Sequence, residues 1–149
     1  MPVRRDAPLW TCPKCGALLV GRNMSHACGP YTVEGFLNGK GPRALELFSG
    51  FVALLERCGP VTPAPAKTRV AFMTRVRFAG VDALSERGMT AHFGLPYAVA
   101  SERIAKVDHY PPSWYVHTLR ISRLEELDDE LRAWLCESYS LMGEQRRFS

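Results

Sequence analysis

No run of about eighteen apolar residues, the length needed to span a bilayer, occurs in the sequence, so a membrane-spanning helix is not expected. The opening segment Met1-Pro2-Val3-Arg4-Arg5-Asp6 lacks both the apolar stretch and the small-residue cleavage site of a signal peptide. A cytoplasmic location is the expectation that follows. Internal repeats and low-complexity tracts are absent, and a hydrophobic share of 46% with a charged share of 23% is that of a folded domain, which argues against extended disorder. The chain also has no G-x-S-x-G, no phosphate-binding glycine loop and no dinucleotide fingerprint. These absences leave an enzyme without a signature and favour a binding protein.

Cysteine is scarce and unevenly placed. There are five, an odd number that makes a poor disulfide framework. Three of them fall between residues 12 and 28. Trp10-Thr11-Cys12-Pro13-Lys14-Cys15-Gly16 is a knuckle in which two residues separate the thiols. A loop of that length turns both thiolates toward one point, where backbone N–H groups can donate to the sulfurs. Ten residues on, Ser25-His26-Ala27-Cys28-Gly29 supplies two more donors. Cys12, Cys15, His26 and Cys28 are therefore the expected ligands of one Zn²⁺. A tetrahedral Cys₃His set is closed and structural, because it leaves no open position for catalysis. The single residue between His26 and Cys28 is tighter than usual, so a bent backbone is required there. Should His26 not bind, Cys58 or a water is the alternative fourth ligand. A redox role is disfavoured, since the thioredoxin-like βαβ pattern around a CxxC is missing. Cys58 and Cys136 fall in or at the ends of expected helices, where cysteine is ordinarily a small buried hydrophobe.

Net charge is a mild +4, but its distribution is not even. Residues 59–123 carry nine bases and four acids, whereas residues 124–149 carry three bases and seven acids. The basic middle coincides with the strand-like part of the chain. From Thr68 to Phe78, Thr68, Val70, Phe72, Thr74, Val76 and Phe78 alternate with Arg69, Ala71, Met73, Arg75 and Arg77. Period-two alternation predicts strand, or two strands joined near Thr74, with three arginines on one face. Met89 to Leu95, Arg103 to His109 and Trp114 to Ile121 are further strand segments. Helical spacing of Leu45, Phe48, Val52 and Leu55 predicts a helix over residues 43–57, started by Pro42 and stopped at Gly59-Pro60. The intervening Val61-Thr62-Pro63-Ala64-Pro65 is expected to be an irregular connector, because proline withholds a backbone donor. Leu124, Leu127, Leu131, Trp134, Leu135 and Met142 predict a C-terminal helix. Ser122 and Glu125 provide a capping box, and the acids of its first turns suit the helix dipole. The expected fold is α+β: a mainly antiparallel sheet of four to five strands with a helix before and after it. That domain spans residues 31–149, and the zinc-knuckle module spans residues 1–30.

If the strands are neighbours, Lys67, Arg69, Arg75 and Arg77 form a basic sheet face with His92. Such a face suits phosphate groups of nucleic acid or another anionic ligand. The competing reading is a solvated face whose arginines pair with Glu86, Glu102 or Asp108. His117 shares its side of a strand with Leu119 and Ile121, which favours a partly buried, hydrogen-bonded histidine over a general base. His92 stands in a similar position.

Several short motifs occur in a recognisable order: the knuckle and His26-Ala27-Cys28, then Phe36-Leu37, Gly59-Pro60-Val61, Pro65-Ala66-Lys67-Thr68-Arg69-Val70-Ala71-Phe72, Arg77-Phe78-Ala79 and His117. In these the chain resembles the uncharacterised bacterial family called domain of unknown function 5655, over roughly residues 34–142 and the cysteine segment. The resemblance implies an α+β domain and draws attention to Lys67, Arg69 and His117. It brings no established activity. Two functional readings follow. One is a zinc-containing binding protein that engages nucleic acid or another anion through its basic sheet face. The other is a small-ligand domain or enzyme with a pocket around Lys67, Arg69 and His117.

Overall fold

A computed structural model describes residues 31–143, together with two short strands nearer the N-terminus. Those strands, β1 (Trp10–Thr11) and β2 (Leu18–Leu19), pair antiparallel. The expected zinc ligands Cys12, Cys15, His26 and Cys28 lie outside the described residues.

The fold is α+β. Two helices, α1 (Val33–Leu37) and α2 (Pro42–Glu56), precede a six-stranded sheet, and α3 (Asp129–Ser138) follows it. The strands are β3 (Thr62–Pro65), β4 (Val70–Met73), β5 (Arg77–Ser85), β6 (Gly88–Leu95), β7 (Ile104–Tyr110) and β8 (Trp114–Ile121). Every pairing is antiparallel and the order is β3-β4-β5-β6-β8-β7. Among the described residues no helix is long and apolar enough to cross a membrane.

The sheet has one strand more than the four to five expected. The extra strand is β3, in the segment anticipated to be irregular on account of Pro63 and Pro65. It lies at the sheet edge, pairing Ala64 with Ala71. On an edge strand alternate N–H groups point away from the sheet, so two prolines two residues apart cost no ladder hydrogen bond. They also leave that edge with fewer donors for a further strand. Strand β5 runs on to Ser85, well beyond the expected end near Phe78.

One face of the sheet is covered by α2 and α3. Val70, Phe72, Val81, Met89, Ala91, Phe93, Leu95, Leu119 and Ile121 stand on it and are buried. Against them pack Leu47, Phe51 and Leu55 of α2 and Leu131 and Leu135 of α3. The buried stripe of α2 is centred on Leu47, Phe51 and Leu54 with Ala44, Phe48 and Leu55, while Leu45 is exposed. It is rotated from the stripe anticipated through Leu45 and Val52, because Leu47, Phe51 and Leu55 form one i, i+4 row and Ala44 and Phe48 a second beside it.

The C-terminal helix does not run unbroken from Leu124. A single 3₁₀ turn, Leu124–Glu126, is followed by a fresh start in which the Asp128 carboxylate accepts from the Leu131 N–H at 3.1 Å. Glu126, rather than the expected Glu125, reaches back, accepting from the N–H groups of Ser122 and Arg123, each at 3.0 Å. Arg103 ties the break together: Nη1 donates to Asp128 and Glu130 at 2.9 Å each, and Nη2 to the Glu126 carbonyl at 2.7 Å. Beyond Ser138 the chain widens into one π-helical turn, Tyr139–Gly143, whose Gly143 carbonyl accepts from the N–H groups of Arg75 and Val76.

Cys58 and Cys136, expected as separate buried hydrophobes, form a disulfide that joins the end of α2 to α3 across 78 residues of sequence, with Cα atoms 5.1 Å apart. Their spacing carried no signal, since the two meet only when both helices lie on the same sheet face. The bond also removes Cys58 as an alternative zinc ligand while it is intact. Closing a loop of this length restricts the unfolded chain, and a disulfide of this kind contributes about 2–4 kcal/mol. Urea unfolding of Cys58→Ser/Cys136→Ser, or of the wild type in excess reductant, is expected to show a loss of that size.

Burial raises the carboxyls of Glu126 and Asp128, but their donors outweigh it. Backbone N–H groups and the Ser122 hydroxyl hold Glu126 below its ordinary 4.5, and Arg103 with the Leu131 N–H holds Asp128 below 3.8. A carboxyl with a depressed folded value contributes stability above its unfolded value and loses it as pH falls through the folded one. Chemical denaturation from pH 7 downward is therefore expected to show stability declining below about pH 4.5. Asp128→Ala should cost about 1 kcal/mol at neutral pH and flatten that acid limb.

Candidate ligand site on the open face of the sheet

The residues that alternate with the core residues point to the opposite face of the sheet, which no described helix covers. There they line a trough of about 980 Å³. Across its floor Ala64, Ala71, Gly80, His92, Thr118 and Lys106 stand in register from β3 to β7, small at the β3 end. Asp108, Tyr110 and Trp114 line its far side, and Arg69 and Arg77 its near side.

Two irregularities in β5 shape the trough. Between β4 and β5 the register slips at Phe78, since Phe72 faces Ala79 while Met73 faces Arg77. Strict alternation would set Arg77 on the face of Ala79, which is buried in the core; the slip lets Arg77 line the trough instead. A second slip leaves Asp82 without a partner between Val81 and Ala83. The bulge aims Asp82 at His92 of β6, where its Oδ2 lies 2.7 Å from Nδ1. With the carboxylate accepting from Nδ1–H, the neutral ring carries its lone pair on Nε2. The two side chains are 24% and 31% exposed for His92 and Asp82, enough for a ligand to reach them.

Glycine makes room for both rings of the trough. A Cβ at Gly80 would lie 2.7 Å from His92 Cε1 and 3.0 Å from the Val70 carbonyl, so the imidazole rests where a side chain would stand. At Gly94 a Cβ would lie 3.0 Å from Trp114 Cζ2 and 3.1 Å from Cε2. The indole therefore lies across the sheet and over that glycine.

Electrostatically the trough is not balanced. Lys106 is paired with Asp108 at 3.3 Å, and Asp82 with His92. Arg69 and Arg77 have no carboxylate partner among the described residues. The acids proposed to neutralise them are engaged elsewhere or stand apart: Glu86 caps α2 by accepting from the Ala44 N–H at 2.7 Å, and Asp108 holds Lys106. Burial lowers the Arg77 pKa, and the neighbouring charge of Arg69 lowers it further. Two cations that repel one another, one of them half-buried, form a place where an anion is stabilised.

The structure brings together Arg69, Arg77 and His92 of the expected site residues. It does not bring the others. Lys67 is exposed in the turn between β3 and β4, outside the trough lining. Arg75, expected on the basic face, is only 7% exposed in the turn between β4 and β5, beneath Gly143, because that turn interrupts the alternation. His117 is on the helix side and 0% exposed. Its Nε2 accepts from the Val99 N–H at 2.9 Å, and its ring stacks on Phe93 at 4.9 Å. Among the described residues Nδ1 has no partner of hydrogen-bonding geometry; burial lowers the pKa, against a smaller opposing pull from the carbonyls of Phe93 and Tyr115. A neutral core histidine results. The pocket anticipated around Lys67, Arg69 and His117 is not formed.

Asp82, Thr118 and Tyr110 were not singled out from the sequence. Asp82 left one trace, an acid in the otherwise apolar Phe78-Ala79-Gly80-Val81-Asp82-Ala83-Leu84, where strands disfavour aspartate. Thr118 and Tyr110 left none. No family model matches the chain, and no curated protein or solved structure matches it either.

Proposed function

We propose that the protein binds an anionic ligand on the open face of its sheet, with Arg69 and Arg77 taking the negative charge. The observation that carries this reading is the pair of guanidinium groups lining one trough without a carboxylate between them. A solvated face would disperse such charges or pair them with nearby acids, and here the nearby acids are occupied. Guanidinium suits phosphate and carboxylate because its planar fork donates two parallel hydrogen bonds. Nucleic acid and other phosphate-bearing partners are the ligand class. Binding is favoured over catalysis because the described residues place no nucleophile within hydrogen-bond reach of His92.

The test is titration with inorganic pyrophosphate and with a short single-stranded oligonucleotide at several salt concentrations. Binding is expected to weaken as salt rises, since phosphate contacts release counterions. Arg69→Ala/Arg77→Ala should weaken it by about tenfold or more, given the worth of charge-assisted hydrogen bonds. Arg132→Ala, on the helix side, should leave it unchanged. No detectable binding of either probe at low salt would end this reading.

The N-terminal segment is proposed to hold one structural Zn²⁺ through Cys12, Cys15, His26 and Cys28. Support comes from ligand type and spacing, and from the antiparallel pairing of Trp10–Thr11 with Leu18–Leu19 on either side of the knuckle. Metal analysis of purified protein is expected to give one zinc per chain, falling in Cys12→Ser/Cys15→Ser. Membership of the family domain of unknown function 5655 is proposed from motif order. The Cys58–Cys136 bond weighs against the expected cytoplasmic location, because reducing compartments keep thiols open.

A further inference from the structure

The geometry points to a nucleoside phosphate as the ligand of the trough: its phosphate on Arg69 and Arg77, its base stacked on the Trp114 indole. The inference rests on the anion-binding reading and names the rest of the molecule. Its starting point is the way Trp114 is held. The indole lies over Gly94, in the place a Cβ would occupy, so one ring face is seated on the sheet and the side chain still lines the trough. A flat aromatic platform beside a cationic site is the arrangement that binds a base and its phosphate together, because every base has a π-face and stacking requires no particular sequence.

The spacing fits. The Trp114 indole rests over Gly94 of β6; Arg77 is on the adjacent β5, and Arg69 leads into β4, the strand beyond it. One to two strand separations put the anion and ring sites about 5–10 Å apart. The gap is the reach of a sugar with one or two phosphates. The trough around them bears both donors and acceptors: His92 held by Asp82, the Thr118 hydroxyl, and, beyond β8, the Lys106–Asp108 pair. Those groups suit sugar hydroxyls better than an aliphatic chain. A bare inorganic anion would leave the indole platform without a role. A volume of about 980 Å³ has room for one nucleotide. The same chemistry is presented by a free nucleotide and by one residue of a single strand.

The experiment titrates the full-length protein with pyrophosphate, adenosine, ADP and an eight-residue single-stranded oligonucleotide, by calorimetry. ADP is expected to bind at least about fivefold more tightly than pyrophosphate, the lower end of what one stacked base contributes. Trp114→Ala should bring ADP down to the level of pyrophosphate and leave pyrophosphate itself unchanged. Trp114→Phe should keep part of the gain, and the wild-type comparison needs no variant should Trp114→Ala fold poorly. If ADP binds no better than pyrophosphate, the inference is overturned while the anion-binding reading stands. If neither binds, both fall. If adenosine alone equals ADP, the ring site stands without its phosphate and the inference is again overturned. An oligonucleotide that displaces ADP and binds more tightly identifies the source as a strand; one that does not identifies it as the free nucleotide.

Discussion

Helices α2 and α3 bury one face of a six-stranded antiparallel sheet and leave its other face to the trough. Because side chains alternate along a strand, this one-sided cover decides the role of each strand position. Phe93 and Leu95 join the core with Leu119 and Ile121, so His92 and Gly94, and Val116 and Thr118, must face the other way. The same rule removes His117 from any site on the open face. Its ring stacks on Phe93, and the stack continues through Phe93 to Trp134 of α3. The trough is thus the complement of the core, and the residues in it carry chemistry that the core would not tolerate.

A sheet face alone is nearly flat. What turns this one into a trough is the choice of small residues at its β3 end and the two interruptions of β5. Were β5 regular, Arg77 would point into the apolar layer, where an unpaired guanidinium is strongly disfavoured. The slip at Phe78 resolves that conflict and places the cation at the wall. The bulge at Asp82 does the same for an acid and gives His92 its partner. Extra residues in a strand would ordinarily weaken pairing, and both of these serve to re-aim a charged side chain.

Much of the fold was legible from periodicity. Strands β4, β6 and β8 and helix α2 lie where alternation and 3.6-residue spacing put them, because each buries one face and local pattern reports that directly; the edge strand β7 also lies where expected, without a buried residue. What was not legible depended on position within the sheet rather than on local sequence. Pro63 and Pro65 exclude a central strand but not an edge one, and edge status is a property of the finished sheet. Bulges shift which face a residue occupies, so the simple odd-even division of Thr68 to Phe78 placed Arg75 beside Arg69 and Arg77. In fact the β4–β5 turn takes Arg75 out of the sheet. The Cys58–Cys136 bond joins residues 78 apart, a pairing set by helix docking. Of the candidate site, the two arginines and His92 were legible as a basic alternating stretch, whereas Asp82 became meaningful only beside His92.

The uneven charge along the sequence takes on a different meaning once the acids are located. By number, the seven acids in the C-terminal stretch would offset the basic middle of the chain. Three of them instead surround one arginine: Asp128 and Glu130 bind Arg103 by their carboxylates, and Glu126 binds it through its carbonyl while its carboxylate caps Ser122 and Arg123. All of this happens at the start of α3, whose apolar face packs on the helix-covered side of the sheet. The acidic surplus is therefore consumed in starting a helix and anchoring the β6–β7 connection to it. Glu86, the acid nearest the β5–β6 turn, is likewise committed to the first turn of α2. Separation of the charges by the sheet is what leaves Arg69 and Arg77 facing a common trough without a carboxylate of their own, and a ligand that brings one negative group relieves the repulsion between two cations at once.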